Sequence, residues 1–419
     1  MKANPPSSPP SLADALRKAL SVQPVGSVTG NLTVYRGSLD GQSVHVAFIE
    51  NRIASGSIGV LEAKKLASLF KIAALSKASI VLYLDSAGAR ISEGLHALGA
   101  FRLLFKEGVA AAAVGAPIAV VLGRNCFGGA SMLAHLAKRR LFSPGSQLAM
   151  SGPSILAQAA GVSALDDMFR AVAEATIAAP ARAQANEANS IWTPGMELTA
   201  WLREAMVPVA QTWNTFHARH QALAERIKDA PSAQAPVPAK RKDLEKLFPD
   251  GYRASEDAGI LTGEARRNTT SAPLLGLVGN SPLSCVRAWR FADALWENAR
   301  TPTARLELLL DCESHAPRIE DEKIVLTEFI VDVGLALGAI AARGTFIDLT
   351  ILGRAGGGVY VAIAAFASRI SVVYGADIQV LPGSAIASIL GENREAVGSI
   401  EEYRSAQVAD EELRLGLVP

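Results

Sequence analysis

Two stretches of this chain end an apolar run in adjacent glycines and then enter a helix-forming segment: "GRNCFGGAS" (123–131) and "GRAGGGVYV" (353–361). The first N–H groups of a helix have no acceptor inside it, and the helix dipole adds partial positive charge there. Glycine lets a ligand come close to those groups. "FGGA" (127–130) and "GGGV" (356–359) therefore have the composition of oxyanion holes, sets of fixed N–H donors for a carbonyl oxygen that becomes negative. A tight turn that packs a strand closely on a helix has the same composition, and both readings stand at this point. Neither loop is a phosphate-binding P-loop, because no Gly-Lys-Ser/Thr follows, and neither fits GxGxxG.

A third stretch, "LYLDSAGARISEG" (82–94), ends a strand in Asp-Ser-x-Gly-x-Arg. Asp85 and Arg90 can pair to stiffen the loop. Alternatively, the planar fork of Arg90 can face a carboxylate or phosphate.

These loops need elements to hold them. In the first half, "SIVLYLD" ends at Asp85, a helix-like stretch spans 93–107, and the strand "PIAVVLG" (117–123) leads into the glycine loop and a helix over 130–139. A short strand around "SQLAM" and a helix start, "SGPSILAQ" (151–158), follow. In the second half, "RLELLLD" ends at Asp311, a helix spans 321–342, and "TFIDLTILG" (345–353) leads into "RAGGG" and the helix "VYVAIAAFA". "DIQVL" and the helix "PGSAIASIL" (382–390) close that series. Asp85 to Gly128 is 43 residues and Asp311 to Gly356 is 45; Gly128 to Gly152 is 24 and Gly356 to Gly383 is 27. Matched order at matched spacing predicts an internal duplication, and strands alternating with helices predict α/β architecture.

Boundaries follow from composition. Residues 1–29 open on a Pro/Ser tract and are expected to be disordered or weakly ordered. Residues 30–227 form the N-terminal unit, 228–243 ("KDAPSAQAPVPAKRKD") a linker, and 244–419 the C-terminal unit. Residues 163–227 fit neither copy of the repeat and are expected to be helical additions to the first unit.

A formal net charge of +1 gives no bulk electrostatic argument for nucleic acid or an anionic membrane. Three distant cysteines, Cys126, Cys285 and Cys312, have neither metal-ligand spacing nor the makings of a disulfide framework. "VAAAAVGAPIAVVLG" (109–123) is too short and too broken to span a bilayer. The expectation is a cytoplasmic chain with no metal.

Taken together, these stretches resemble a known family. "LYLDSAGARISEG" is similar to the DSGGARIQEG-type segment of acyl-CoA carboxylase carboxyltransferase subunits. "NCFGGAS" with "LAMSGPSILAQAAG", and "SGSIGVLEAKKLA" (55–67), resemble the malonate decarboxylase β subunit. The second half is similar, more loosely, to the γ subunit. The resemblance implies β and γ fused in one chain as two tandem crotonase-like (ClpP/crotonase) spiral domains. It implies paired oxyanion holes that face each other across a cleft, with donors at Gly128 and Gly129 and at Gly358 and Val359. Gly88, Arg90, Ala130, Ser151, Gly152, Gly357 and Tyr360 are the implied substrate-binding positions. Two departures stand out. Arg354 replaces a lysine of the γ pattern, and "CESHAPRIEDE" (312–322) lacks the Gly-rich pattern of the family.

The chemistry the resemblance implies is the loss of CO2 from a malonyl thioester. The enolate left behind carries its charge on the thioester oxygen, where N–H donors can hold it. A proton must then reach carbon, from His315, Tyr360, Ser151 or water. His315 follows the second strand-end aspartate and is the catalytic candidate; Tyr360 has packing as its other role. Biotin-attachment and phosphopantetheine-attachment motifs are absent from the sequence. No covalently bound cofactor is therefore expected, and the phosphopantetheine thioester would arrive on CoA or an acyl carrier protein. "AKRR" (137–140) and "AKRKDLEK" (239–246) are the basic segments expected to meet an acidic carrier. A homo-oligomer is compatible with this reading. A carboxyltransferase serving a biotinyl carrier, and a non-catalytic scaffold, are the two other functions considered.

Overall fold

The computed structural model describes residues 11–162, 166–208, 213–228, 230, 241–381 and 398–415. The first half runs α1 (Leu12–Ala19), β1 (Gln23–Pro24), β2 (Leu32–Leu39), β3 (Gln42–Ile49), α2 (Val60–Ser76), β4 (Ile80–Ser86), α3 (Gly94–Ala113) and β5 (Ile118–Phe127). It continues with α4 (Gly129–Ala134), β6 (Arg139–Phe142), β7 (Gln147–Ala149) and α5 (Pro153–Ala159). Then come α6 (Asp167–Ile177), α7 (Ala179–Ala185), β8 (Asn189–Ile191), α8 (Leu198–Ala205) and α9 (Trp213–Ile227).

The second half runs α10 (Arg241–Leu247), β9 (Tyr252–Asp257), β10 (Ile260–Arg267), β11 (Thr270–Leu277), α11 (Cys285–Arg300), β12 (Arg305–Cys312), α12 (Ile319–Lys323) and α13 (Leu326–Ala342). It closes with β13 (Phe346–Gly356), α14 (Gly357–Ala364), β14 (Arg369–Val373), β15 (Asp377–Gln379), a helix over Ile400–Ser405 and β16 (Glu411–Leu413). The expected helix over 382–390 and most of the expected linker lie outside the described residues.

The two sheets have one topology. The first is ordered β1-β2-β3-β4-β5-β6-β8 with β7 on the end of β5; the second is β9-β10-β11-β12-β13-β14-β16 with β15 on the end of β13. In each, an antiparallel hairpin (β2–β3, β10–β11) leads into parallel strands whose crossovers are helices. The chain is thus an α/β protein with two similar mixed sheets. The repeat is shifted by one residue from the spacing read in the sequence. Phe127 pairs with Ala149 where Gly356 pairs with Gln379, so Gly128 corresponds to Gly357.

The N-terminal expectation fails for the described part of 1–29. Ser11 caps α1 by accepting from the Asp14 N–H, and Leu12, Leu16 and Leu20 are buried. Their spacing of four puts them on one helix face, which packs with Phe48, Val121 and Trp201.

The additions over 163–227 serve both halves. Helix α13 is buried along nearly all its length and carries two buried carboxylates, Glu328 and Asp332, one turn apart. Burying a charge is costly unless it is paired. The pairing comes from the additions: Arg226 Nη1 donates to Glu328 Oε2 at 2.5 Å and Asn186 Nδ2 to Oε1 at 3.0 Å. From the first half, Arg140 Nη2 lies 3.9 Å from Glu328 Oε1 and His135 Nδ1 lies 3.3 Å from it. Burial would raise the Glu328 carboxyl, but hydrogen bonding and the surrounding charge hold it well below its ordinary range. His220 of α9 bonds Asp332 at 2.6 Å, and Trp296 donates to the other Asp332 oxygen at 3.1 Å. The described residues of 163–227 are therefore a clamp that joins the halves rather than additions to the first alone.

Because Glu328 neutralises cations from the first half and from α9, Glu328→Gln should destabilise the fold by about 3–5 kcal/mol, the cost of leaving a buried charge unpaired. Urea denaturation checks this. A loss below about 1 kcal/mol would show that the clamp holds without the charge.

Candidate functional site

The glycine loops occupy matching bends. Strand β5 pairs with β6 through Leu122 and then with β7 from Asn125; β13 pairs with β14 through Ile351 and then with β15 from Arg354. A strand that changes neighbours leaves backbone groups unpaired at the change. The strand-end aspartates fill that need: Asp85 Oδ1 accepts the Asn125 N–H at 3.1 Å, and Asp311 Oδ1 accepts the Arg354 N–H at 3.0 Å. Each aspartate lies over a glycine that has no room for a side chain: a Cβ on Gly123 would sit 2.6 Å from Asp85 Cβ, and one on Gly353 2.2 Å from Asp311 Oδ1. Burial raises the Asp85 carboxyl while the Asn125 and Arg124 backbone bonds lower it.

Beyond each bend the chain turns through a glycine with positive φ, Gly128 at +54° and Gly357 at +55°, and enters α4 or α14. The Gly128 N–H is not free, since it donates to the Met150 carbonyl at 3.1 Å. The next two, on Gly129 and Ala130, begin α4 and have no acceptor within the helix; Gly358 and Val359 stand in the same place on α14. The glycines also serve packing. A Cβ on Gly129 would lie 2.3 Å from the Phe101 ring, and one on Gly358 would lie 2.1 Å from Met150 Cε and 3.1 Å from Met132 Sδ. The loops thus approach each other between the halves, with two flexible methionine side chains of the first half against Gly358. Gly88 turns at φ +98°, and a Cβ there would be 2.9 Å from the Phe127 carbonyl. Gly152 caps α5 against the Phe127 ring.

Four expected residues are engaged within the protein. Arg90 does not pair with Asp85. It forms ion pairs with the buried Glu62 and with Glu93, the latter at 2.8 Å, and donates to the Ser57 carbonyl at 2.9 Å. Tyr360 is fully buried and donates to the Val408 carbonyl at 2.6 Å, and burial pushes its hydroxyl well up. In the "AKRR" segment, Arg139 pairs with Glu204, but Arg140 is buried and donates to Asn189 and to the Ala137 carbonyl. A docking patch cannot use a buried arginine. Of the second basic segment, 239 and 240 and the side chains of 241 and 242 lie outside the described residues, and Lys246 donates to the Leu415 carbonyl.

His315 and Ser151, from different halves, meet. Ser151 Oγ is 2.8 Å from His315 Nε2, and Ser314 Oγ is 3.2 Å from His315 Nδ1. A Cβ on Gly357 would touch Ser314 Oγ at 2.8 Å, and Ser151 follows Met150, whose carbonyl holds Gly128. The histidine therefore connects the two glycine loops through two hydroxyls. Burial pushes it down to about 4, so it is neutral at pH 7.

Two partners escaped the sequence reading. Glu322, fully buried on α12, accepts the Ser151 N–H at 2.8 Å, and Arg182 donates to it at 3.2 Å and to its carbonyl at 2.6 Å. Burial pushes Glu322 up to about 7 against the lowering effect of Arg182 and the Ser151 N–H. "RIEDE" carries no periodic signal that separates its buried carboxylates from its exposed one.

Residues 13–173 match the carboxyl transferase domain family. Over 101 residues the chain is 39% identical to a putative propionyl-CoA carboxylase beta chain of Bacillus subtilis (strain 168), a stretch that covers 24% of this chain and 20% of that protein. It is 24% identical to a biotin-dependent acetyl-/propionyl-coenzyme A carboxylase beta5 subunit of Mycobacterium leprae, over 94% of this chain and 73% of that protein. Among solved structures, a Pseudomonas malonate decarboxylase hetero-tetramer in complex with malonate is similar at 21% identity and a TM-score of 0.45, over 54% of this chain and 92% of that one. No helix among the described residues is long and apolar enough to cross a membrane.

The depressed value of His315 has a signed consequence. A base whose folded value lies below its ordinary 6.5 contributes stability that is present above pH 6.5 and lost as pH falls through about 4. The stability difference between wild type and His315→Gln should therefore shift in favour of the variant as pH falls from 7 to 4. Nitrogen NMR of the imidazole should find it neutral at pH 6; an imidazolium there would contradict the burial argument.

Proposed function

We propose that this chain decarboxylates a malonyl thioester, on CoA or an acyl carrier protein, to the acetyl thioester. The observation that carries the reading is the pair of matched glycine turns meeting at the junction of the halves, with a neutral histidine between them. Heterolysis of the malonyl C–C bond releases CO2 and leaves an enolate. Its oxygen would lie against the N–H groups of Gly129 and Ala130, or of Gly358 and Val359, donors already fixed by helix geometry. Donors that need no reorganisation favour the charged state over the neutral thioester. The proton for carbon would come from the His315 side of the site, where the Ser151 and Ser314 hydroxyls flank the imidazole.

The match of residues 13–173 to the carboxyl transferase domain family favours a second reading, in which CO2 passes to or from a biotinyl carrier. Both use the same enolate. They differ in whether CO2 leaves freely.

The test is mass analysis of malonyl-CoA and malonyl-carrier protein incubated with the chain. Acetyl thioester and CO2 are expected without biotin. Loss of malonyl only when a biotinyl carrier is present, with carboxybiotin accumulating, would establish the second reading instead. A Cβ on Gly128 has room, with its nearest neighbours 3.8 Å away, but its φ suits glycine alone. Gly128→Ala should therefore shift the donors without disturbing the core and reduce turnover on the order of a hundredfold. Unchanged turnover in that variant would remove the first loop from the mechanism.

A further inference from the structure

The two halves are not equivalent where it matters. The bridge Ile58–Ala89 has its counterpart in Leu283–His315: the Ile58 N–H bonds the Gly88 carbonyl as the Leu283 N–H bonds that of Ser314, and the Arg90 and Ala316 N–H groups return to Ile58 and Leu283. "DSAGAR" (85–90) thus corresponds residue for residue to "DCESHA" (311–316). Ser314 and His315 stand where the first half has Gly88 and Ala89. By the register of β7 and β15, Ser151 stands where the second half has Leu381. The two halves depart from their common pattern at separate places, and those departures form one hydrogen-bonded row, Ser151–His315–Ser314.

From this asymmetry we infer that Ser151, His315 and Ser314 are a proton relay that protonates the enolate carbon at the first glycine loop. The inference rests on the decarboxylase reading. The carbon takes the proton of the Ser151 hydroxyl as the new C–H bond forms. Ser151 oxygen takes the Nε2 proton of His315, Nδ1 takes the Ser314 proton, and water restores Ser314. The hydroxide left by that water combines with the released CO2 as bicarbonate. The imidazole changes tautomer and never carries charge, as its burial requires. Glu322 is a positioning residue. Its carboxylate fixes the Ser151 backbone and is itself held by Arg182. The relay gives the chain one reacting centre rather than two, because Ala89 and Leu381 cannot carry a proton.

The relay can be read without CO2 by running its last step backwards. Wild-type protein in heavy water should exchange the methyl hydrogens of acetyl-CoA for deuterium, followed by mass spectrometry. Ser151→Ala and His315→Gln should each slow this exchange, and decarboxylation of malonyl-CoA, on the order of a hundredfold. Both variants should keep the wild-type circular dichroism spectrum, so that a loss of exchange is not a loss of fold. Ser151→Thr keeps a hydroxyl and should retain most of the exchange, which separates a relay from a packing role. Wild type should also show a curved dependence of rate on deuterium fraction, and Ser151→Ala a straight one. Exchange at the wild-type rate in Ser151→Ala or His315→Gln would overturn the relay while leaving decarboxylation intact. Equal losses in Ser151→Thr and Ser151→Ala would also overturn it. A wild-type protein that binds malonyl-CoA but neither releases CO2 nor exchanges would overturn the decarboxylase reading and the relay with it.

Discussion

A central strand that changes neighbours before it ends is the constraint on which this molecule depends. Beyond Leu122 and Ile351 the strands leave β6 and β14 and join β7 and β15, and the backbone at the switch needs an acceptor. Asp85 and Asp311 supply it, each from the adjacent strand end, over a glycine that admits no side chain. The brace sets the direction in which the chain leaves the sheet. That direction places Gly128 and Gly357 at their positive φ and aims the first turns of α4 and α14 at the junction of the halves.

The junction is held by charge as well as by apolar packing. One continuous apolar cluster includes Phe101 and Phe105 from the first half and Phe329 and Leu335 from the second. Through it run polar pairs that cross the junction: Glu328 with Arg226, Asp332 with His220, and Glu322 with Arg182. In each the carboxylate belongs to the second half and its partner to the first half or its trailing helices. Such pairs do not make packing stronger than an apolar surface would, but they admit one arrangement and penalise others. The Ser151–His315 contact lies within that arrangement, so its geometry is inherited from the clamp.

Much of this was legible in the residues. Strand-Asp, helix, strand, glycine loop and helix occur twice in order at similar spacing, and the duplication followed from that order and spacing. What escaped was set by tertiary partners. Arg90 looked free to meet a ligand or Asp85, but Glu62, in the first turn of α2 and buried, takes its fork. Arg140 looked like surface in a run of cations, but it is buried in β6, where it donates to Asn189 and to the Ala137 carbonyl, and Arg139 at the start of that strand pairs with Glu204. The Pro/Ser start masked the leucines of α1, whose spacing of four was the available signal. The ungapped match of "DSAGAR" to "DCESHA" lies in the sequence too, but its register becomes visible only when the bridges to Ile58 and Leu283 are seen. Ser151 as the partner of His315, 164 residues away, has no local signal at all.

The central claim is that backbone N–H groups at these two bends hold an enolate oxygen. It is tested most directly by a crystal structure with an acyl-CoA analogue that carries a nitronate in place of the enolate. The account predicts a nitronate oxygen about 3 Å from the N–H groups of Gly129 and Ala130 or of Gly358 and Val359, with its carbon facing Ser151. An analogue bound with its nitronate away from both glycine turns would contradict it.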